Sequence, residues 1–489
     1  MFKDERRCRV WDEIRQLDLR AFVKFLTPSL FGKAAQAAGV RLGSNALNWA
    51  NMVWLGIAAA LHTTESFGSL LVLAFRLLQD LQGWSRTPLG RTCRKRPRGR
   101  KRSKSKHDPH GHGGLLVSEE AFAEARKRMP IQFWMWLLLL LSEQFQAQHA
   151  EYVKWKGFRL LAMDGTELAL QRDQRLAKHF GTSRNGKRRR TPQARMLMLA
   201  FPLARVPWRY ELAPRSCHEQ TMAARLLTGL AARDLVLMDR GFWCFGLFWM
   251  IQRQQAFFGI RLRRGVTMKC IQRLGQGDAI MRWTPSQQSK QRSRWKDFPD
   301  LPTSLDLRVI RYQVRGFRPS AVVTNIRDPK LVSAEEWVRL ATQDEAGRTL
   351  EPGLYHRRWE IETMFCELKV RQGMKNLRSR TPEGISFEVA GHVLLYLLTR
   401  WLMVEAAKEH GIEPLRISFT NAHRELKHIW EALLKSSPQH VACVLLPRLC
   451  QRIAEHLVPL RPGRHYPRPA DKYKKKKYRK AAKTVTYKT

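Results

Sequence analysis

FRLLAMDGTELAL, residues 158–170, is where the chain changes character. Upstream of it, apolar residues recur at helical spacing. Here an apolar run of strand length ends on Asp164-Gly165, a turn signal, and a further strand or strand edge follows. The same pattern continues downstream. ARMLMLAFPLA (194–204) and RYELA (209–213) read as strands, TMAARLLTGLAA (221–232) as a helix, and DLVLMD (234–239) as an apolar strand closing on an Asp. FGLFWMIQRQ (245–254) is helical and AFFGIRLR (256–263) is another strand. Strands alternating with helices predict an α/β layer around a largely buried mixed sheet.

The flanks differ. Residues 1 to about 90 read as helical through ALNWANMVWLGIAAAL (46–61) and GSLLVLAFRLLQDLQ (68–82). Residues 91–117 form a basic, then His/Gly-rich linker that cannot build a core, and His107, His110 and His112 have no partner Cys to make a metal site with. Ser118 is an N-cap signal for a helical lead-in over 118–157, with a second helix over 131–147. The core segment 158–263 gives way at 264–350 to short β-like pieces among polar turns, SLDLRVIRYQVR and PSAVVTNI, and to a capping box of Ser333 with Glu336. That region reads as a β-rich insertion. Within 351–410 the periodicity predicts a helix over 355–376 and an apolar helix over 386–407, followed by a helical region (411–460) and a basic tail (461–489).

Charge narrows the function classes. The 489 residues hold 88 Lys and Arg against 42 Asp and Glu, a net charge of +46, and 44% are hydrophobic. The linker and tail carry only part of this excess, so the folded body is itself basic. A polyanion is the expected partner, with nucleic acid the commonest. A membrane surface fits less well, because the basic runs do not flank a long apolar span and runs such as FWMWLLLLL (133–141) are far short of a bilayer crossing. Eight scattered cysteines without a Cys-x-x-Cys pair, and a charged N-terminus unlike a signal peptide, point to free thiols in a reducing cytoplasm.

The chemistry concentrates in YHRRWEIETMFCELK, residues 355–369. At about 100° per helical residue, Arg358 lies about 40° from Glu362, and Tyr355 and Lys369 about 20° from it. One carboxylate thus shares a stripe with two cations and a phenol. Glu360 and Glu367 fall roughly 140° to 160° away, which nominates Glu362 over its neighbours. Asp164 and Asp239 stand at strand ends, where functional groups collect. Two Asp and one Glu make a hard-oxygen site for Mg²⁺, and two ions about 3.5–4 Å apart would serve phosphodiester cleavage. Simpler readings exist. Either Asp alone could be a turn or capping residue. Arg358 and Glu362 could be a surface i, i+4 pair contributing roughly 0.3–0.5 kcal/mol, although this would leave Tyr355 and Lys369 unexplained.

The order DGT, DRGF and Y-x2-R-x3-E-x6-K resembles the DDE transposases of bacterial insertion sequences, and more narrowly insertion sequence family four. The last motif is the most specific. The resemblance covers about 118–400, including SEEAFAEARKRM upstream. It implies a ribonuclease-H-like core interrupted by a β-rich insertion, and a helical N-terminal region that binds transposon ends. It also implies Asp164, Asp239 and Glu362 as the catalytic and metal-binding triad, with two Mg²⁺ (or Mn²⁺) ions per active site. Tyr355, Arg358 and Lys369 would hold the transposon-end DNA, joined by Arg240 beside Asp239. The partners would be double-stranded DNA, as transposon ends and target, and a second copy in a synaptic homodimer, in the bacterial cytoplasm at the nucleoid and not at a membrane. Related enzymes use an aromatic in the insertion to trap a flipped base. Trp283, Trp295 and Trp337 lie there, with core packing the competing role for each. The alternatives to a transposase are a domesticated or inactive DNA-binding protein derived from such an element, and a metal-dependent nuclease without strand transfer.

Overall fold

The computed structural model of the chain describes residues 25–43, 47–71, 118–183, 191–286, 300–313, 319–339, 353–436 and 440–459. The basic linker, the basic tail, Trp295, most of GTSRNGKRRR and the helix expected over 68–82 beyond Leu71 lie outside the described residues.

Ten strands form one sheet: β1 (Lys154–Trp155), β2 (Phe158–Ala169), β3 (Gln193–Phe201), β4 (Val206–Pro214), β5 (Asp234–Met238), β6 (Phe257–Arg261), β7 (Lys269–Gly275), β8 (Asp278–Trp283), β9 (Leu305–Tyr312) and β10 (Ser320–Thr324). Their order is β4-β3-β2-β5-β6-β10-β9-β8-β7, with β1 paired to β2 off this path. β2–β5 and β5–β6 are parallel, and the other described pairs are antiparallel. The helices in chain order are α1 (Pro28–Ala37), α2 (Trp49–Leu61), α3 (Glu119–Arg128), α4 (Ile131–Gln148), α5 (Gln174–Phe180) and α6 (Glu219–Leu227). They continue with α7 (Phe245–Arg253), α8 (Ala334–Val338), α9 (Trp359–Cys366), α10 (Pro382–Glu409), α11 (Phe419–Lys435) and α12 (Leu446–Glu455).

β5 lies inside the sheet, and its sequence shows why. Leu235 and Leu237 face one core with Phe158, Leu160, Trp337 and Tyr355, while Val236 and Met238 face the other with Leu161 and Met163. A strand covered on both faces reads as a continuous apolar run. The helix α7 carries the chain from β5 back to β6, the crossover that a parallel pair requires.

The turn expected at Asp164-Gly165 is corrected by the sheet. Asp164-Gly165 is not a turn: β2 runs unbroken for 12 residues. Antiparallel pairing with β3 continues through Asp164↔Met198 and Gly165↔Leu197 to Ala169↔Gln193, and this ladder overrides the local turn preference. Gly165 instead gives close approach, since a Cβ there would stand 3.0 Å from the Glu219 carboxylate. Residues 264–350, read as an insertion, supply β7 to β10 to the same sheet through the pairing of β10 with β6. The Ser333–Glu336 capping box is formed in both directions at the start of α8. It delivers Trp337, fully buried, under Gly259 of β6, where a Cβ would lie 2.5 Å from its ring. Trp337 is therefore a core residue.

α10 is the axis of the helical half and touches α2, α3, α4, α11 and α12. It is long and apolar enough to cross a membrane by length and composition, but its apolar stretch is buried throughout. α2 crosses it at two glycines: a Cβ on Gly391 would stand within 2.7 Å of the Gly56 carbonyl carbon, with backbone and not a yielding side chain in the way. Gly391→Ala is expected to force the helices apart at a cost of about 1–3 kcal/mol, read as a lower urea midpoint with unchanged secondary structure. An unchanged midpoint would refute this close contact.

Candidate active site

The register of β2 against β5 builds the first half of the site. Leu161 pairs with Val236 and Met163 with Met238 in parallel. Asp164 and Asp239 are the next residues on neighbouring strands spaced about 4.8 Å apart. β2 continues along β3, but β5 stops, and Asp239 starts a single 3₁₀ turn, Arg240–Phe242, without a side-chain capping bond. The capping role considered for Asp239 is thus absent. The Asp164 carboxylate accepts the Gly165 N–H at 2.8 Å.

The third carboxylate arrives on a segment that is not one helix. Leu354–Arg358 is 3₁₀, α9 is α-helical, and Glu367–Arg371 is a π turn. The 100° wheel holds only inside α9, which contains Glu360 and Glu362 but none of Tyr355, Arg358 or Lys369. The helix expected over 355–376 is corrected accordingly. The partners of the three are as follows. Tyr355 is buried and donates its hydroxyl to the Met238 carbonyl at 3.1 Å, so it fastens the segment to β5 one residue before Asp239. Burial pushes its phenol up to about 12. Lys369 donates to the Thr166 hydroxyl and the Glu167 carbonyl, each at 2.9 Å, and burial lowers its pKa. Arg240 is exposed on its turn.

Arg358 links the two halves. It is 3% exposed, with Nη2 donating to Glu362 at 2.9 Å and Nη1 lying 3.7 Å from Asp164. Burial works against its charge, but Tyr355, Glu362 and Asp164 outweigh burial and raise its pKa. Its Nε and Nη1 have no hydrogen-bond partner among the described residues. Burial also pushes the Asp164 carboxyl up to about 6, and the nearby Glu362 and Asp239 charges add to the rise against the Gly165 N–H and Arg358. Negative charge is therefore crowded at this spot, and a single guanidinium offsets it.

No three His, Cys, Asp or Glu side chains are gathered closely enough to hold one ion among the described residues. The donor chemistry nonetheless suits a hard divalent cation: carboxylates from inside β2, from the end of β5 and from one helix, mutually repelling, around a cation that lies between two of them. Arg358 is the group that would have to yield.

Residues that sequence reasoning passed over lie behind α9. Arg205, in the β3–β4 turn, donates to Glu360 at 2.7 Å and to Glu367 at 2.9 Å. Glu367 also accepts the Tyr396 hydroxyl at 2.6 Å and pairs with buried Arg400. Burial opposes the Glu367 charge, but Arg400 and Arg205 outweigh it and hold its carboxyl below the usual range. Glu360 and Glu367 thus face protein cations away from Glu362. Trp283 packs 5.1 Å from Trp243 and 5.4 Å from Phe245, at the edge of a cavity of about 460 Å³ that Arg263 and Arg264 also line.

Residues 155–398 match the family model for the transposase DDE domain. Over 366 residues the chain is 26% identical to the transposase InsG for insertion sequence element IS4 from Escherichia coli (strain K12), covering 72% of this chain and 76% of that one. The cryo-EM structure of a piggyBac transposase synaptic complex with hairpin DNA overlaps 97% of this chain and 90% of its own, at 9% identity and a TM-score of 0.37, a likeness too loose to carry an argument.

Proposed function

Since this chain belongs to the DDE transposases, of the IS4 type, we propose that it cleaves phosphodiester bonds at transposon ends and joins the 3′ ends to target DNA, with Asp164, Asp239 and Glu362 as the catalytic carboxylates. The observation that carries this reading is Arg358 spanning Asp164 and Glu362, with Asp239 next to Asp164 where the parallel pairing of β2 and β5 ends. The three carboxylates would hold Mg²⁺ or Mn²⁺, two ions per site. Bound there, the ions would activate the attacking water or 3′-hydroxyl and neutralise the leaving oxygen.

The chain's own groups take the remaining roles. Arg358 turns its open N–H groups to a phosphate oxygen, and Arg240 approaches the backbone from its exposed turn. Tyr355 and Lys369 hold the Glu362 segment against β5 and β2, and contact the end DNA by exchanging those protein partners for it. We read β2, β3, β5 and β6 with α9 as a ribonuclease-H-like core, residues 264–350 as its β-rich insertion, and the N-terminal helices as the end-binding region. Two copies would synapse a pair of ends, on nucleoid DNA in the cytoplasm.

Joining separates this reading from a nuclease. Pre-cleaved end DNA with free 3′-hydroxyls, incubated with a supercoiled target plasmid, is expected to yield covalently joined product with Mg²⁺ and none with EDTA. Cleavage of uncut ends without any joined product would leave a metal-dependent nuclease instead.

A further inference from the structure

We propose that Arg205 and Arg400 act as positioning residues that set the direction of Glu362 by gripping the opposite side of its helix; this rests on the reading of Glu362 as a catalytic carboxylate. Glu362 itself is poorly held. Its side chain is 38% exposed, and the contact described for it is one hydrogen bond from Arg358. A single hydrogen bond from Arg358 Nη2 leaves α9 free to roll about its axis, so further contacts must hold it. The rear of the helix supplies it. Arg205 bridges Glu360 and Glu367, two residues before Glu362 and five after it. Arg400, 1% exposed on α10, holds the other Glu367 oxygen together with the Tyr396 hydroxyl and itself donates to that hydroxyl at 3.1 Å.

Two features mark this grip as more than packing. Arg205 has φ +53°, a left-handed conformation that suits glycine, yet a long cation stands there. The helix also changes to a π turn at Glu367, the residue that both arginines hold. Such widened turns recur at functional sites. Here the turn separates Glu367, pulled to the rear, from Lys369, pulled to Thr166 and Glu167 of β2 at the front. The segment is tied on both sides, so a roll that would carry Glu362 from the aspartates breaks contacts on each.

The test uses the full-length protein and direct titration with Mn²⁺, followed by the loss of the free-ion electron paramagnetic resonance signal. Arg205→Gly keeps a residue suited to the turn and removes the grip. It is expected to weaken Mn²⁺ binding about tenfold or more, the scale of losing a residue that orients a metal ligand. Arg205→Lys, which keeps one charge but not the two-armed contact, should fall between the variant and wild type. Glu362→Gln and Gly391→Ala serve as references. If Arg205→Gly binds Mn²⁺ like wild type while Glu362→Gln does not, the grip is refuted and the carboxylate reading stands. If Glu362→Gln also binds like wild type, both fail. If Arg205→Gly loses affinity only as Gly391→Ala does, in step with a general loss of stability, the role is structural and the proposal is overturned.

Discussion

Glu362→Gln is expected to lose Mg²⁺-dependent cleavage of end DNA by on the order of 10²–10³-fold, the scale on which removing one preorganised charge-stabilising group acts. The amide keeps the shape of the side chain and its acceptor for Arg358, so the fold and the Arg358 contact at 2.9 Å should persist. What it removes is the negative charge that Glu362, as the proposed third ligand, would offer a divalent cation. DNA binding should remain, because a chain of net charge +46 holds phosphates through many cations and the substitution removes one repelling charge. Gel-shift affinity and end cleavage measured on the same preparation separate the two. Wild-type cleavage by this variant would remove Glu362 from the site.

The second large effect is on stability. Arg308→Met is expected to cost about 3–5 kcal/mol, the usual penalty for leaving a buried charge without its partner. Arg308 on β9 is fully buried. It donates from Nε and Nη2 to Asp278 of β8 at 2.9 and 2.6 Å, and from Nη1 to the Val332 carbonyl at 2.6 Å. Asp278 is itself 7% exposed, so little water reaches it when the guanidinium is gone. Equilibrium unfolding in urea should show the loss. The double variant Arg308→Met with Asp278→Leu should recover much of it, since an apolar pair can replace a buried ion pair. A single variant within 1 kcal/mol of wild type, an amount about that of a surface pair, would contradict the burial.

Much of the local structure was legible because it depends on local period and end chemistry. The apolar DLVLM of β5, the Ser118 cap of α3 and the Ser333–Glu336 box all appear where the residues indicate. The adjacency of Asp164 and Asp239 follows from two apolar strands that each end their parallel pairing one residue earlier. What was not legible depends on partners distant in the chain. Gly165 follows an Asp and signals a turn, yet eight consecutive pairs with β3 keep it in a strand. The helix of 355–376 changes its pitch twice because Tyr355 is fastened to β5 and Glu367 to Arg205 and Arg400, ties that leave no periodic trace. Arg205 lies 162 residues from Glu367, and Pro202 signals the turn that Arg205 closes, but nothing local signals its partners.

The Gly56–Gly391 crossing has a consequence for dissecting the chain. α2 exposes almost none of its surface, and the helix it meets continues from the segment bearing Glu362. A fragment beginning after the linker would strip the cover from Phe387, Trp134 and the glycine seam, leaving a wide apolar scar beside the candidate site. The described segments 25–43 and 47–71 are therefore not an appendage that can be cut off to free an active core. Truncation should yield insoluble protein, and a swap of N-terminal regions between relatives should work only when both sides of the seam travel together.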